Sequence, residues 1–391
     1  MREPALVPRL RPFTSTIFAE MTALAVRHDA VNLGQGFPDT DGPAGMLEAA
    51  KNALFGGANQ YPPGPGRPEL RAAIARHRQR YGTEYDPDTE ILVTAGATEA
   101  IAAALLALTE PGDEVIVIEP YYDSYAAAVA MAGAERRVVG LVEGPDGRFG
   151  LDVDGLRAAV TPRTRAILVN SPHNPTGTVF TRAELEALAT LCVDHDLIAI
   201  CDEVYEHLVF DVSSGVEHIP LVTLPGMRPR TVSISSAGKT FNCTGWKIGW
   251  VCSTPELVAA VKAAKQFMTF VSGGPLQPAV AHALDHELPW VDGLRASLQE
   301  KRDRLSAGLA DAGFAVRPTA GTYFVCVDVR PLGFADAADL AWELPGRVGV
   351  AAVPVKVFTD HPDEWNHLLR FAFCKRNEVI DEAITRLRKL V

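Results

Sequence analysis

Ser233-Ile-Ser-Ser-Ala-Gly-Lys239-Thr-Phe-Asn-Cys-Thr-Gly-Trp-Lys247-Ile-Gly-Trp250 is the stretch on which the reading of this chain turns. It continues a run, Thr231–Ser235, that reads as a strand, and it sets two lysines eight residues apart among small and apolar neighbours. A lysine in such surroundings is costly unless it is paired or deprotonated. Gly238-Lys239-Thr240 resembles the end of a nucleotide P-loop. That loop needs a glycine five positions before Gly238, and Ser233 stands there, so the P-loop reading fails. A plain surface lysine remains the alternative for Lys239.

On either side of this stretch, short apolar runs alternate with helical patterns. Ile91–Val93, Glu114–Ile118, Arg165–Asn170, Leu197–Cys201, Thr231–Ser235 and Ile248–Cys252 read as strands. Between and after them, 98–108, 123–132, 182–195 and 256–267 read as helices, the third opened by Thr181 with Glu184 three residues on, a capping box. This alternation predicts an α/β fold, a mainly parallel sheet with helices on both faces. Beyond Pro275 the pattern changes to a long charged helix over 290–312, strands at Tyr323–Val329 and Leu368–Phe373, and a final amphipathic helix over 378–390. The expected organisation is an arm over 1–40 carrying Pro4, Pro8 and Pro12, a large domain over 41–275 and a smaller α+β domain over 276–391.

Composition narrows the function. The 391 residues are 47% hydrophobic and 22% charged, enough apolar material for large cores. A net charge of −11 argues against a nucleic-acid partner. The stretch Gln266–Leu284 lacks charge but is broken by Gly273, Gly274, Pro275 and Pro278, so no membrane span is expected. Arg2, Glu3, Arg9 and Arg11 at the start predict no secretory leader. Cys192, Cys201, Cys243, Cys252, Cys326 and Cys374 are scattered without metal spacing and read as reduced, buried thiols of a cytoplasmic protein, with no metal.

Two more clusters precede the lysine stretch. Asn174-Pro175-Thr176-Gly177 follows one predicted strand and reads on its own as a turn. Asp202-Glu203-Val204-Tyr205 follows another, where carboxylates point into the crevice at which α/β proteins bind ligands, or cap the next helix. Together with Lys239 they suit pyridoxal 5′-phosphate. That cofactor needs a lysine for its aldehyde, a carboxylate for its pyridine nitrogen, donors for its phenolate oxygen and a cationic cup for its phosphate. Lys239, Asp202, Asn174 with Tyr205, and Ser236 with Lys247 are the candidates in that order. Gly96-Ala97-Thr98 at a helix start adds backbone N–H groups for the phosphate.

With these motifs in hand the chain resembles the fold type I, class I/II aminotransferases. More narrowly it resembles the branch of kynurenine, glutamine and methionine aminotransferases that includes actinobacterial N-succinyldiaminopimelate aminotransferases. Val31-Asn-Leu-Gly-Gln-Gly-Phe-Pro-Asp39, Asn59-Gln-Tyr61-Pro62, Glu119-Pro-Tyr-Tyr-Asp-Ser-Tyr125, Ser171-Pro-His-Asn-Pro-Thr-Gly177, Asp202-Glu-Val-Tyr205, Ser235-Ser-Ala-Gly-Lys239 and Arg370-Phe-Ala-Phe-Cys-Lys375 carry the likeness. It implies a seven-stranded-type sheet. It implies that Lys239 binds the cofactor and shuttles the proton, and that Tyr122 stacks on the cofactor ring. Ala97, Thr98, Ser236 and Lys247 would hold the phosphate, with Tyr61 arriving from the second subunit of a homodimer. Arg370 would fork onto the substrate α-carboxylate beside Gly36. Tyr121 and Tyr125 read as core packing. Ile17, Phe18, Gly36, Phe37 and Tyr122 are expected to line the substrate pocket, with Arg9 and Arg11 as candidate cations at its mouth. The expected reaction passes an amino group between N-succinyl-LL-2,6-diaminopimelate and 2-oxoglutarate in lysine biosynthesis. Glutamine, methionine or kynurenine as donor, a carbon–sulfur β-lyase and a ligand-binding regulatory module are the alternatives.

Overall fold

A computed structural model describes residues 6–390; Arg2, Glu3 and Pro4 of the expected arm lie outside the described residues. The centre is a seven-stranded sheet. Its strands in chain order are β1 (Ile91–Ala95), β2 (Glu114–Glu119), β3 (Glu135–Gly140), β4 (Thr164–Asn170), β5 (Ile198–Asp202), β6 (Thr231–Ser236) and β7 (Ile248–Cys252). Their spatial order is β1-β7-β6-β5-β4-β2-β3, with β7 antiparallel to both its neighbours and the other pairs parallel. The interior strands are buried on both faces, which is why they read as unbroken apolar runs rather than alternating ones. One face packs on the Gly96–Leu108 and Ser124–Ala132 helices through Ile101, Leu105, Val115 and Val129. The other packs on the Arg182–Asp194 helix through Leu185, Leu188 and Cys192. That helix begins with the expected capping box: Thr181 Oγ1 accepts from the Glu184 N–H at 3.3 Å and Glu184 accepts from the Thr181 N–H at 2.7 Å.

A second, four-stranded antiparallel sheet is built from β8 (Ala315–Val316), β9 (Phe324–Asp328), β10 (Val353–Pro354) and β11 (Leu368–Ala372), in the order β8-β9-β11-β10. The Leu288–Asp311 and Asn377–Leu387 helices cover it. The early part of the chain, read above as an arm of little periodicity, holds a real helix, Ile17–Arg27. Met21 and Ala25 pack against Ala351, Val353 and Phe358, and Val31–Asn32 pairs in parallel with Val350–Ala351. β3 was not foreseen: as an edge strand with the sequence Glu-Arg-Arg it shows no apolar run. All six cysteines are free and buried. Among the described residues, no helix is long and apolar enough to cross a membrane.

The topology decides where chemistry can occur. β1, β4, β5 and β6 end at Ala95, Asn170, Asp202 and Ser236, while antiparallel β7 begins at Ile248, and the register Asn170↔Asp202, Ser236↔Gly249 and Ala95↔Ile248 brings these ends to one edge. The loops leaving that edge converge on a crevice, as open α/β sheets require.

Candidate active site

At that edge lies a cavity of about 420 Å³. Phe18, Gly36, Ala97, Thr98, Tyr122, Asn174, Asp202, Tyr205, Ser236, Lys239, Lys247 and Arg370 all line it. Tyr61, expected from a second subunit, does not reach this chain's own cavity. It is 82% exposed, its ring edge-on to Phe270 at 5.5 Å. Ile17 departs from expectation. It faces a neighbouring cavity with Arg9, while Arg11 is turned to its own backbone, Nε donating to the Leu6 carbonyl at 3.3 Å.

The floor is the Gly96–Leu108 helix N-terminus. Gly96 sits at φ +75°, and a Cβ on Gly249 would lie 2.6 Å from the Gly96 carbonyl carbon, so β7 approaches this turn only as glycine. Lys247 adopts the left-handed region at φ +54°, with its Cε 3.6 Å from where a Gly96 side chain would begin. Ser236, Lys247 and the first N–H groups of the helix thus form one electropositive corner.

Asp202 is buried at the end of β5. Its Oδ2 accepts from the Tyr125 hydroxyl at 2.6 Å and its Oδ1 from the Val204 N–H at 3.3 Å. Burial raises its carboxyl above the usual range, and these two donors with Lys239 pull it back. Glu203 and Glu206 face the other way, into a closed ionic network. Arg78, itself fully buried, reaches Glu203 at 3.0 Å and Glu206 at 3.1 Å, and Ser235 donates to Glu206 at 2.6 Å. One carboxylate of the segment therefore serves the cavity while its neighbours anchor the loop that carries Tyr205.

Lys239 stands opposite. Burial is the largest influence on it and pulls its ammonium down to about 8; Cys374 and Asp202 pull upward, and Arg370 and Lys247 downward. Its Nζ donates to the Tyr323 hydroxyl at 2.8 Å, and that hydroxyl donates to the Gly36 carbonyl at 2.6 Å. Arg370 is 1% exposed. Its Nη1 donates to Asn174 Oδ1 at 2.9 Å and its Nη2 to the Gly34 carbonyl at 3.0 Å, Nε has no partner, and Phe324 lies 4.0 Å beneath the guanidinium. No carboxylate pairs with it among the described residues. A buried cation so placed awaits an anion. A side chain on Gly36 would run into the Phe324 ring, so the backbone can approach the guanidinium here only as glycine.

Tyr125 and Tyr323 are the residues that sequence reasoning passed over. Tyr125 was read as packing; it is buried, and it also holds Asp202. Its spacing of three from Tyr122 at a helix start carried the signal, since both then face one side. Tyr323 comes from the loop before β9, 84 residues from Lys239, and nothing local marks it.

Residues 28–387 match the family model "Aminotransferase class I and II". The chain belongs to this family. This class I and II aminotransferase is 59% identical to the probable N-succinyldiaminopimelate aminotransferase DapC of Mycobacterium tuberculosis, over 98% of each chain. It is 39% identical to the methionine aminotransferase of Escherichia coli over the full length of both. Among solved structures, the N-succinyldiaminopimelate aminotransferase of Mycobacterium tuberculosis superposes with a TM-score of 0.96 at 60% identity, covering 99% of this chain and 100% of that one. The protein is a pyridoxal 5′-phosphate-dependent transaminase acting on amino and keto acids. The cavity fits that cofactor: a free lysine amine, a buried carboxylate held by two donors and an electropositive helix start all face one space.

Proposed function

We propose that this aminotransferase moves an amino group between N-succinyl-LL-2,6-diaminopimelate and 2-oxoglutarate, in the cytoplasm, as a step of lysine biosynthesis. The 59% identity to the mycobacterial protein of that name, spread over the whole chain, carries the substrate reading. Bound pyridoxal phosphate supplies the aldehyde that takes the amino group and the ring that withdraws electrons. The chain's residues do the rest. Asp202, whose carboxylate accepts from the Tyr125 hydroxyl and the Val204 N–H, would pair with the pyridine nitrogen and keep it protonated. Asn174 and Tyr205 would serve the phenolate oxygen, and Tyr122 would cover the ring. Ser236, Lys247, Ala97 and Thr98 would hold the phosphate. Lys239, neutral at its Nζ once its ammonium has lost a proton, takes the α-proton and returns it. Arg370 and the Gly36 backbone hold the substrate α-carboxylate, and Phe18 contacts its side chain.

We further infer a homodimer in which Tyr61 serves the partner's phosphate site. Phe55 at 88%, Tyr61 at 82% and Phe267 at 86% exposure, with Phe270 against Tyr61, are apolar side chains that a second copy would cover. On this reading the division is an arm over 1–40, a large domain over 41–275 and a small domain over 276–391. The 39% identity to a methionine aminotransferase favours an unbranched apolar donor as the second reading. Comparing kcat/KM for N-succinyl-LL-2,6-diaminopimelate, methionine, glutamine and kynurenine tests the choice. The succinylated donor is expected to lead by at least tenfold; parity with methionine or glutamine overturns the lysine-pathway reading. Release of pyruvate and ammonia from cystathionine without a keto acid would mark a β-lyase instead.

A further inference from the structure

The contact between Lys239 and Tyr323 has a direction that hydrogen counting settles. A phenol carries one hydrogen and can accept through its oxygen. The Gly36 carbonyl can only accept, so at 2.6 Å the Tyr323 hydrogen is committed to it. Toward Lys239 the Tyr323 oxygen can then only accept, and at 2.8 Å the amine must be the donor. A neutral amine has two N–H bonds and one lone pair. With one N–H fixed on Tyr323, the lone pair is turned away from the phenol and left unspent toward the cavity that Lys239 shares with Asp202, Asn174 and Arg370.

We propose that Tyr323 is a positioning residue for the aminotransferase reaction: it anchors the free amine of Lys239 by one N–H and so points its lone pair at the substrate α-hydrogen. The inference rests on Lys239 being the proton-moving group. The transfer is a plain proton movement, in which the α C–H bond breaks, its electrons stay with the substrate and the proton joins Nζ. The phenol is itself fixed. Tyr205 meets its ring edge-on at 5.3 Å, Phe324 at 4.8 Å, and its hydroxyl is tethered to the substrate-side segment at Gly36. The anchor therefore links the segment beside the α-carboxylate site to the base that acts on the neighbouring carbon. Besides Tyr323, the groups facing Lys239 from the surrounding elements are Asp202, Cys374, Arg370, Lys247 and the ring of Tyr205, and the Tyr323→Phe change leaves all five in place.

Tyr323→Phe keeps the ring and its packing and removes the anchor alone; a thermal melt checks folding. Two measurements test it. In the apoenzyme, competitive acetylation of Lys239 read by mass spectrometry across pH gives the amine's titration midpoint. Losing an acceptor that favours the charged form should lower that midpoint by about half a unit or more. In the loaded enzyme, single turnover with α-deuterated N-succinyl-LL-2,6-diaminopimelate and α-deuterated methionine should show the maximal rate down at least tenfold, the half-saturating donor concentration within threefold, and a larger deuterium effect than in the parent. If either the midpoint or the deuterium effect matches the parent, Tyr323 is packing and the proposal is overturned. Failure of the parent to use the succinylated donor would instead count against the substrate reading, and the acetylation midpoint would still judge Tyr323.

Discussion

Arg370→Lys tests how the cavity grips its substrate. The guanidinium is buried, and two of its donors are engaged on Asn174 and Gly34. Nε has no partner, and the Phe324 ring lies 4.0 Å beneath the group. A carboxylate arriving here meets a planar fork already oriented by three contacts. Lysine keeps the charge but offers a point donor on a flexible stem, so it loses the fork and leaves Asn174 Oδ1 unpaired. A charge-assisted hydrogen bond contributes about 1.5–3 kcal/mol, so losing one of the two lowers kcat/KM by roughly 10- to 150-fold. Because every amino donor presents the same α-carboxylate, the loss should be the same for the succinylated donor, methionine and glutamine. Rapid mixing under single-turnover conditions, following the cofactor's visible absorbance, gives the three values. A loss below threefold, or one confined to a single donor, would refute the assignment of Arg370 to the α-carboxylate.

Other consequences follow from the same geometry. Tyr125→Phe removes the hydrogen bond that offsets burial at Asp202 and so lifts its carboxyl further, moving the acid limb of kcat to higher pH by about half a unit to one unit; an unmoved limb contradicts the role. Lys239 is held down to about 8 by burial, and only its neutral form captures an aldehyde. The rate of cofactor uptake by the apoenzyme should therefore rise with pH through a midpoint near that value, and a midpoint as high as that of an ordinary lysine, about 10.4, would contradict it. Phe267→Asp puts a charge on an exposed apolar residue three positions before Phe270, the ring partner of Tyr61, and it should shift sedimentation toward a monomer that binds the cofactor phosphate more weakly. A stable dimer of unchanged cofactor affinity would argue against that surface as the interface.

The parts of this molecule that were legible in its sequence are those whose signal is local. The interior strands are short apolar runs because both faces are covered, and Asn174, Asp202 and Lys239 follow three such runs at the edge where a parallel sheet must place them. What was hidden depends on contacts between distant segments. β3 is an edge strand and needs no apolar run. The Ile17–Arg27 helix is short and stands by packing on Ala351 and Phe358 more than 300 residues away. Tyr323 matters only because β9 brings its preceding loop beside Lys239, and Tyr125 because the helix start turns it onto Asp202. The cation expected at the pocket mouth shows the same limit: charge in the arm was visible, but whether Arg9 or Arg11 faced a cavity depended on the fold.

The account stands most directly on one covalent attachment. Borohydride reduction of the cofactor-loaded protein, followed by proteolysis and mass spectrometry, should place the pyridoxyl group on Lys239, the half-buried lysine that shares the cavity with Asp202. The label should vanish in Lys239→Ala while the melting temperature holds. A label on Lys247, or none on either lysine, would contradict the reading of the site.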